Sequence, residues 1–121
     1  MSILAIHHVS LLVADTQQAL GFYRDLLGLE LTERPELGFP GAWLTIGDRQ
    51  LHLLELPNPD PLRGRPEHVG RDRHLALVVS ELDALVARLE QAGIPVTRSR
   101  SGRNACFCRD PDGNGVELVQ N

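Results

Sequence analysis

A chain of 121 residues is long enough to bury one hydrophobic core and too short for two independent domains. With 42% apolar and 23% charged residues it has the composition of a folded globular protein, which excludes disorder, fibres and disulfide scaffolds. A formal net charge of −4, with no Lys/Arg block interleaved with aromatics, excludes nucleic acid as the expected partner.

The opening segment MSILAIHHVS has no cationic leader, and His7 and His8 break its apolar stretch, so it reads as mature structure rather than a signal peptide. Ala5 to Val13 is Leu-rich and β-branched and predicts a strand. Asp15 is placed to cap a following helix, with Gln18 three residues on. Leu20, Tyr23, Leu26 and Leu27 form the helix's apolar stripe, and Gly28 follows as its stop. Three extended segments come next, LELTERP, GAWLTIG and RQLHLLEL, the last two joined by a tight turn at Gly47-Asp48. The stretch PNPDPLRGRPEHVGRDR is rich in Pro, Gly and charge and reads as a linker or surface loop.

At His74 the pattern starts again. HVSLLVAD, beginning at His8, returns as HLALVVSE 66 positions later. Ser80 takes the cap position, Leu82, Leu85, Val86 and Leu89 form the stripe, and Gly93 is the stop. IPVTRSR, NACFCRD and GVELVQ are the three extended segments, with a turn over Pro111 to Gly115. Gly28 and Gly93 are 65 apart, so a slip of one residue lies within the helical region. Each half reads βαβββ, which makes the chain an α+β domain built from module one (about 1–57), a linker (about 58–72) and module two (about 73–121).

The duplication pairs residues that are otherwise unremarkable. His8 and His74 open equivalent strands, and aligning the last strands through their turns sets His52 opposite Glu117. Side chains alternate along a strand, so an inward Glu117 implies an inward His52; Glu55 takes its place if the register slips by one. Three imidazoles and a carboxylate suit a divalent transition metal with open positions. A cation would also offset the cost of burying Glu117 between Val116 and Leu118.

Among the remaining residues, His7 is expected on the opposite face to His8, and His68 in the loop, both solvent-facing or supporting. Cys106 and Cys108 share a strand face and stand too close for an easy disulfide, so they read as small, reduced core residues. A reducing cytoplasm is the expected location, and no apolar run is long enough to span a membrane. Arg98, Arg100 and Arg103 form a basic cluster, one side of which could reach an anionic substrate group. Trp43 is expected in the core, on a strand able to line the cavity.

The segments HHVSLLVADTQQALGFYRDLLGLEL, GAWLTIGDRQLHLLELP, RHLALVVSELDALVARLEQAGIPV and DPDGNGVELVQ resemble the vicinal oxygen chelate superfamily of glyoxalases, bleomycin resistance proteins and extradiol dioxygenases. FYRDLLGLE and DPDGNGVEL are the most specific parts, and the resemblance covers almost the whole chain. It implies two paired βαβββ modules forming a curved, mostly antiparallel sheet around a metal-binding cavity, usually in a homodimer. The family's ligand positions fall on His8, His52, His74 and Glu117. His52 departs from the lactoylglutathione lyases, which commonly have Glu or Gln there, so the metal site is better supported than that particular activity. Extradiol dioxygenases of the family are longer, four-module chains, and bleomycin-binding members lack the ligands.

The expected function is therefore that of a metal-dependent enzyme holding Zn, Ni, Co, Mn or Fe(II). Its substrate is a small oxygen-rich molecule, able to carry an anionic group, that passes through an enolate or oxyanion in lyase or isomerase chemistry. Glu117 is expected to be ligand and general base. An Fe(II) ring-cleaving dioxygenase and an antibiotic-binding resistance protein are the alternatives.

Overall fold

The computed structural model describes residues 2–60 and 62–121; Met1 of the opening segment and Pro61 of the expected linker lie outside the described residues. The chain divides into two compact units, Met1–Pro59 and Asp60–Asn121. The first contains β1 (His8–Val13), α1 (Thr16–Leu20) running into a π-helical turn (Gly21–Leu26), β2 (Glu30–Thr32), β3 (Gly41–Ile46) and β4 (Arg49–Glu55). The second opens with a 3-10 turn (Val69–Arg71) and continues with β5 (His74–Val79), α2 (Leu82–Gln91), β6 (Thr97–Arg98), β7 (Ala105–Arg109) and β8 (Gly115–Gln120). Each unit carries its own four-stranded sheet, ordered β1-β4-β3-β2 and β5-β8-β7-β6. The helical crossover makes β1 parallel to β4 and β5 parallel to β8, while the hairpin-connected strands are antiparallel.

Strand alternation assigns the faces. Leu51 and Leu53 of β4, Val13, Ala42 and Leu44 are buried on one face of the first sheet, as are Ala19, Leu20, Phe22 and Tyr23 of the helical segment. Leu77, Cys106, Cys108, Val116 and Leu118 do the same in the second unit, with Leu82, Leu85, Val86 and Leu89 of α2. β4 and β8 are the strands against which the helices pack. The opposite faces carry His8, Trp43 and His52 in one unit and His74, Phe107 and Glu117 in the other, as the strand registers require.

The helix starts confirm how the two last strands correspond. Glu55 Oε1 accepts from Thr16 N at 2.8 Å and from Thr16 Oγ1 at 3.0 Å. Gln120, the equivalent residue 65 positions on, accepts from Leu82 N at 2.9 Å. Asp15 caps α1 as expected, accepting from Gln18 N at 3.0 Å. Ser80 does not cap α2. The capping position is Glu81, whose side chain makes no capping hydrogen bond among the described residues, and Gln120 supplies the missing acceptor from the neighbouring strand while its Nε2 donates to Ser80 O at 2.8 Å.

The slip of one residue between the modules also has a structural form. An extra residue in a helix is absorbed by widening one turn from i→i+4 to i→i+5 bonding, and the π-helical turn at Gly21–Leu26 lies where the first module is longer. Both helical segments still end on a left-handed glycine, Gly28 at φ 81° and Gly93 at φ 82°. The strand predicted from Ala5 begins only at His8.

The segment read as a linker is fastened to the second unit. Val69 is buried, and a Cβ on Gly115 would fall 2.8 Å from Val69 Cγ1, so the close approach depends on glycine. Asp72 accepts from Arg109 Nη1 at 2.8 Å and from Arg65 Nη1 at 3.3 Å. The Arg109 hydrogen bond holds the Asp72 carboxyl below its usual range against the opposing effect of burial. Pro, Gly and charge concealed this because the anchoring is one small apolar residue and an ion network, neither of which has a sequence period.

Cys106 and Cys108 are free and buried on the helix-facing side. Burial is the main cause that pushes the Cys108 thiol up to about 12, with Asp110 and Cys106 adding to it. The thiol therefore stabilises the fold fully below the unfolded value of 9.0, and that contribution is lost as pH rises toward about 12. We expect neither thiol to react with iodoacetamide at pH 8 until the chain is unfolded in urea, as read by mass spectrometry. Rapid labelling of the native protein would contradict their place in the core.

Candidate metal centre

Glu117 lies on the β8 face turned away from α2, with Phe107 as its cross-strand neighbour, and is 3% exposed. Its two oxygens have different partners. Oε1 is 3.2 Å from His74 Nε2, and Oε2 accepts from Arg103 Nη2 at 3.0 Å. His74 Nδ1 donates to the Asp72 carbonyl at 2.9 Å, which fixes the tautomer and turns the Nε2 lone pair toward the carboxylate. Two electron-pair donors facing each other at this distance call for a cation, either a proton or a metal. Ligand atoms bonded to one ion at about 2.0–2.2 Å stand roughly 3–3.5 Å apart, so the pair fits a divalent metal.

In the first unit His52 lies between two rings. Trp43 stacks on it at 4.0 Å and 4°, and His8 covers the other face at 4.1 Å and 20°. Its Nε2 donates to Gln50 Oε1 at 2.8 Å, leaving Nδ1 as the lone-pair nitrogen. Burial is the first cause that holds the His52 imidazole below its ordinary 6.5, with His8, His7 and Arg34 adding charge repulsion. A neutral ring is the form that ligates metal. Glu55 is not a rival: it lies on the opposite face of β4, committed to Thr16.

The predicted residues are thus gathered in pairs, His8 with His52 and His74 with Glu117, each within its own unit. Among the described residues no three His, Cys, Asp or Glu side chains collect around one point. His7 does not point away from His8; their Nδ1 atoms are 2.8 Å apart, because residue 7 precedes the strand and alternation does not govern it. Arg98 does not face the site either. It pairs in register with Cys106 on the helix side and reaches Asp83 at 3.5 Å. Arg100 lies beyond the end of β6 and is released from that alternation, so it lines the cavity with Arg103.

That cavity, about 690 Å³, belongs to the second unit and has His74 and Glu117 in its wall. Sequence reasoning missed His68, Arg71 and Phe107 as lining residues. Phe107 was legible, since the hairpin register sets it beside Glu117. His68 and Arg71 lay in the presumed linker and gave no signal.

A family model described as the Glyoxalase/Bleomycin resistance protein/Dioxygenase superfamily matches residues 5–118. The chain belongs to this superfamily. It is 36% identical over 118 residues to glutathione transferase FosA of Serratia marcescens, covering 94% of this chain and 79% of that protein. It is 30% identical over 120 residues to Glyoxylase I 4 of Arabidopsis thaliana, covering 94% and 69% respectively. Among solved structures, a glyoxalase family protein from Bacillus anthracis superposes with a TM-score of 0.82 at 25% identity, covering 100% of this chain and 98% of that one. Relatives within the glyoxalase superfamily therefore carry different activity names on one scaffold, and the activity of this member has to be argued from its own residues.

Proposed function

We propose that this glyoxalase-superfamily member is a metal-dependent enzyme acting on a small oxygen-rich substrate by lyase or isomerase chemistry. His8, His52, His74 and Glu117 are the ligands, and the facing His74 and Glu117 donors are the observation that carries the reading. A divalent ion held there (Zn, Ni, Co, Mn or Fe(II)) supplies Lewis-acid stabilisation of an enolate or related oxyanion. The Asp72 carbonyl accepts from His74 Nδ1, which leaves Nε2 as the nitrogen turned to the carboxylate, and Arg103 holds Oε2 so that Oε1 faces the imidazole. Glu117, the one carboxylate in the set, is the group that holds or moves a proton, with Oε1 facing His74 and Oε2 held by Arg103. Each unit supplies two of the four proposed ligands, His8 and His52 from the first and His74 and Glu117 from the second.

Trp43 is the single tryptophan and stacks on His52, so its fluorescence reports ligation in the first unit. Titration of chelator-treated protein with Co(II) is expected to quench it saturably. His74→Ala, altered only in the second unit, is expected to weaken that quenching at least about a hundredfold, since losing a ligand costs more than the tenfold to hundredfold of losing a ligand's supporting partner. Elemental analysis should find metal in the purified wild type and none in His74→Ala. Unchanged quenching in His74→Ala would mean that the two pairs do not share an ion and would overturn the reading.

A further inference from the structure

The cavity of the second unit holds more hydrogen-bond donors than its own residues satisfy. Arg71 and Arg100 both line it, and among the described residues no carboxylate stands within ion-pair distance of either. Of the two glutamates in the wall, Glu117 is already matched by Arg103. His68 adds a donor of fixed orientation. Its Nδ1 accepts from Gly70 N at 3.0 Å, so the neutral ring carries its proton on Nε2. That Nε2 is buried and has no hydrogen-bond partner among the described residues.

The arrangement around His68 is built rather than incidental. A Cβ on Gly70 would lie 3.0 Å from His68 Nδ1 and 3.1 Å from Phe107 Cζ, so any larger residue would press on both rings and shift them by a few tenths of an ångström. Phe107 stands between the two histidines, edge-on to His68 at 5.2 Å and to His74 at 5.4 Å. One aromatic ring therefore spaces the imidazole of the ligand pair from the unpartnered donor. A buried donor without an acceptor costs free energy that a ligand oxygen can recover. Cationic guanidinium groups lining the same cavity select for an anion, in a chain whose net charge is −4. The size of the cavity, about 690 Å³, is that of a small-molecule site.

We propose that His68, Arg71 and Arg100 form a receptor for an anionic oxygen group (phosphoryl, phosphonyl or carboxyl) carried by the substrate. His74 and Glu117 meet the reacting oxygens on the other side of Phe107. Only the word substrate rests on the function proposed above; binding of the anion requires no metal ion.

The test uses the full chain, stripped of metal with chelator, at low ionic strength. Inorganic phosphate, methylphosphonate and acetate are titrated separately and followed by amide chemical shifts. Saturable shifts at Gly70 and Arg71 are expected, with at least one of the three anions bound. Arg71→Gln and Arg100→Gln are each expected to weaken that anion about tenfold or more, as loss of a charged hydrogen bond does. His68→Phe keeps a ring against Phe107, removes the donor and is expected to weaken binding in the same direction. Arg88→Gln, on the exposed side of α2, is expected to leave affinity unchanged. The ranking of phosphate and methylphosphonate against acetate identifies the anion class. Absence of saturable binding by all three, or equal affinity in the Arg71 and Arg100 variants and wild type, overturns the proposal. Because no metal is present, that failure leaves the Co(II) result untouched, and loss of the metal reading would leave the anion result standing.

Discussion

Glu117→Leu is expected to abolish metal binding while leaving the metal-free protein as stable as the wild type or more so. The reason is an asymmetry of burial. The Glu117 side chain is 4% exposed, whereas Arg103 is 59% and His74 25% exposed. Removing the carboxylate frees two groups that can return to water, and leucine fills the space beside Phe107 with apolar volume. Replacing buried ionic groups by apolar ones of similar size is often neutral or stabilising by about 1–4 kcal/mol. Arg103→Ala inverts the situation, since the carboxylate stays buried with only His74 to answer it. A cost of about 1–3 kcal/mol is expected there, the penalty of a buried acceptor left partly unsatisfied. Urea unfolding of both variants, treated with chelator, measures the pair of effects. If Glu117→Leu proves the more destabilising, the carboxylate is part of the structural core and not a functional group held at a cost in stability.

The second large effect separates two neighbours on one strand. Leu51→Ala is expected to cost about 2–5 kcal/mol, because it empties a fully buried position under the first helical segment. His52→Ala, one residue on, points to the other face and loses ring stacking against Trp43 and His8, a matter of about 0.5–1.5 kcal/mol beyond its buried area. Its larger consequence is for Co(II) binding, which Leu51→Ala should leave intact at temperatures where that variant is folded. Urea midpoints and the Trp43 fluorescence titration give both readings. A mild Leu51→Ala with a severe loss of fold in His52→Ala would mean that the two faces of β4 have been exchanged.

This alternation explains how much of the site was legible. Repetition of HVSLLVAD as HLALVVSE, the glycine stops and the hairpin turns are local signals, and each marks an element that the fold contains. The correspondence of His52 with Glu117 followed from the turns alone, and the matching helix caps made by Glu55 and Gln120 show the register to be right. Where a residue's role depended on something distant in the chain, the reading faltered. Ser80 had the chemistry of a cap, yet Gln120 reaches the helix from a strand that arrives 40 residues later. Arg98 and Arg100 looked like one face of one strand, but the strand stops at Arg98 and the two side chains part.

The amino-acid order alone determined the duplication, the βαβββ sequence of elements, the superfamily and the identity of the paired histidines and glutamate, because periodicity and turn chemistry act over a few neighbouring residues. Tertiary structure decided which oxygen of Glu117 faces His74, that Arg103 holds the other, and that the stretch around His68 closes over the second unit. Those outcomes depend on packing one segment against another, which no short window of sequence encodes.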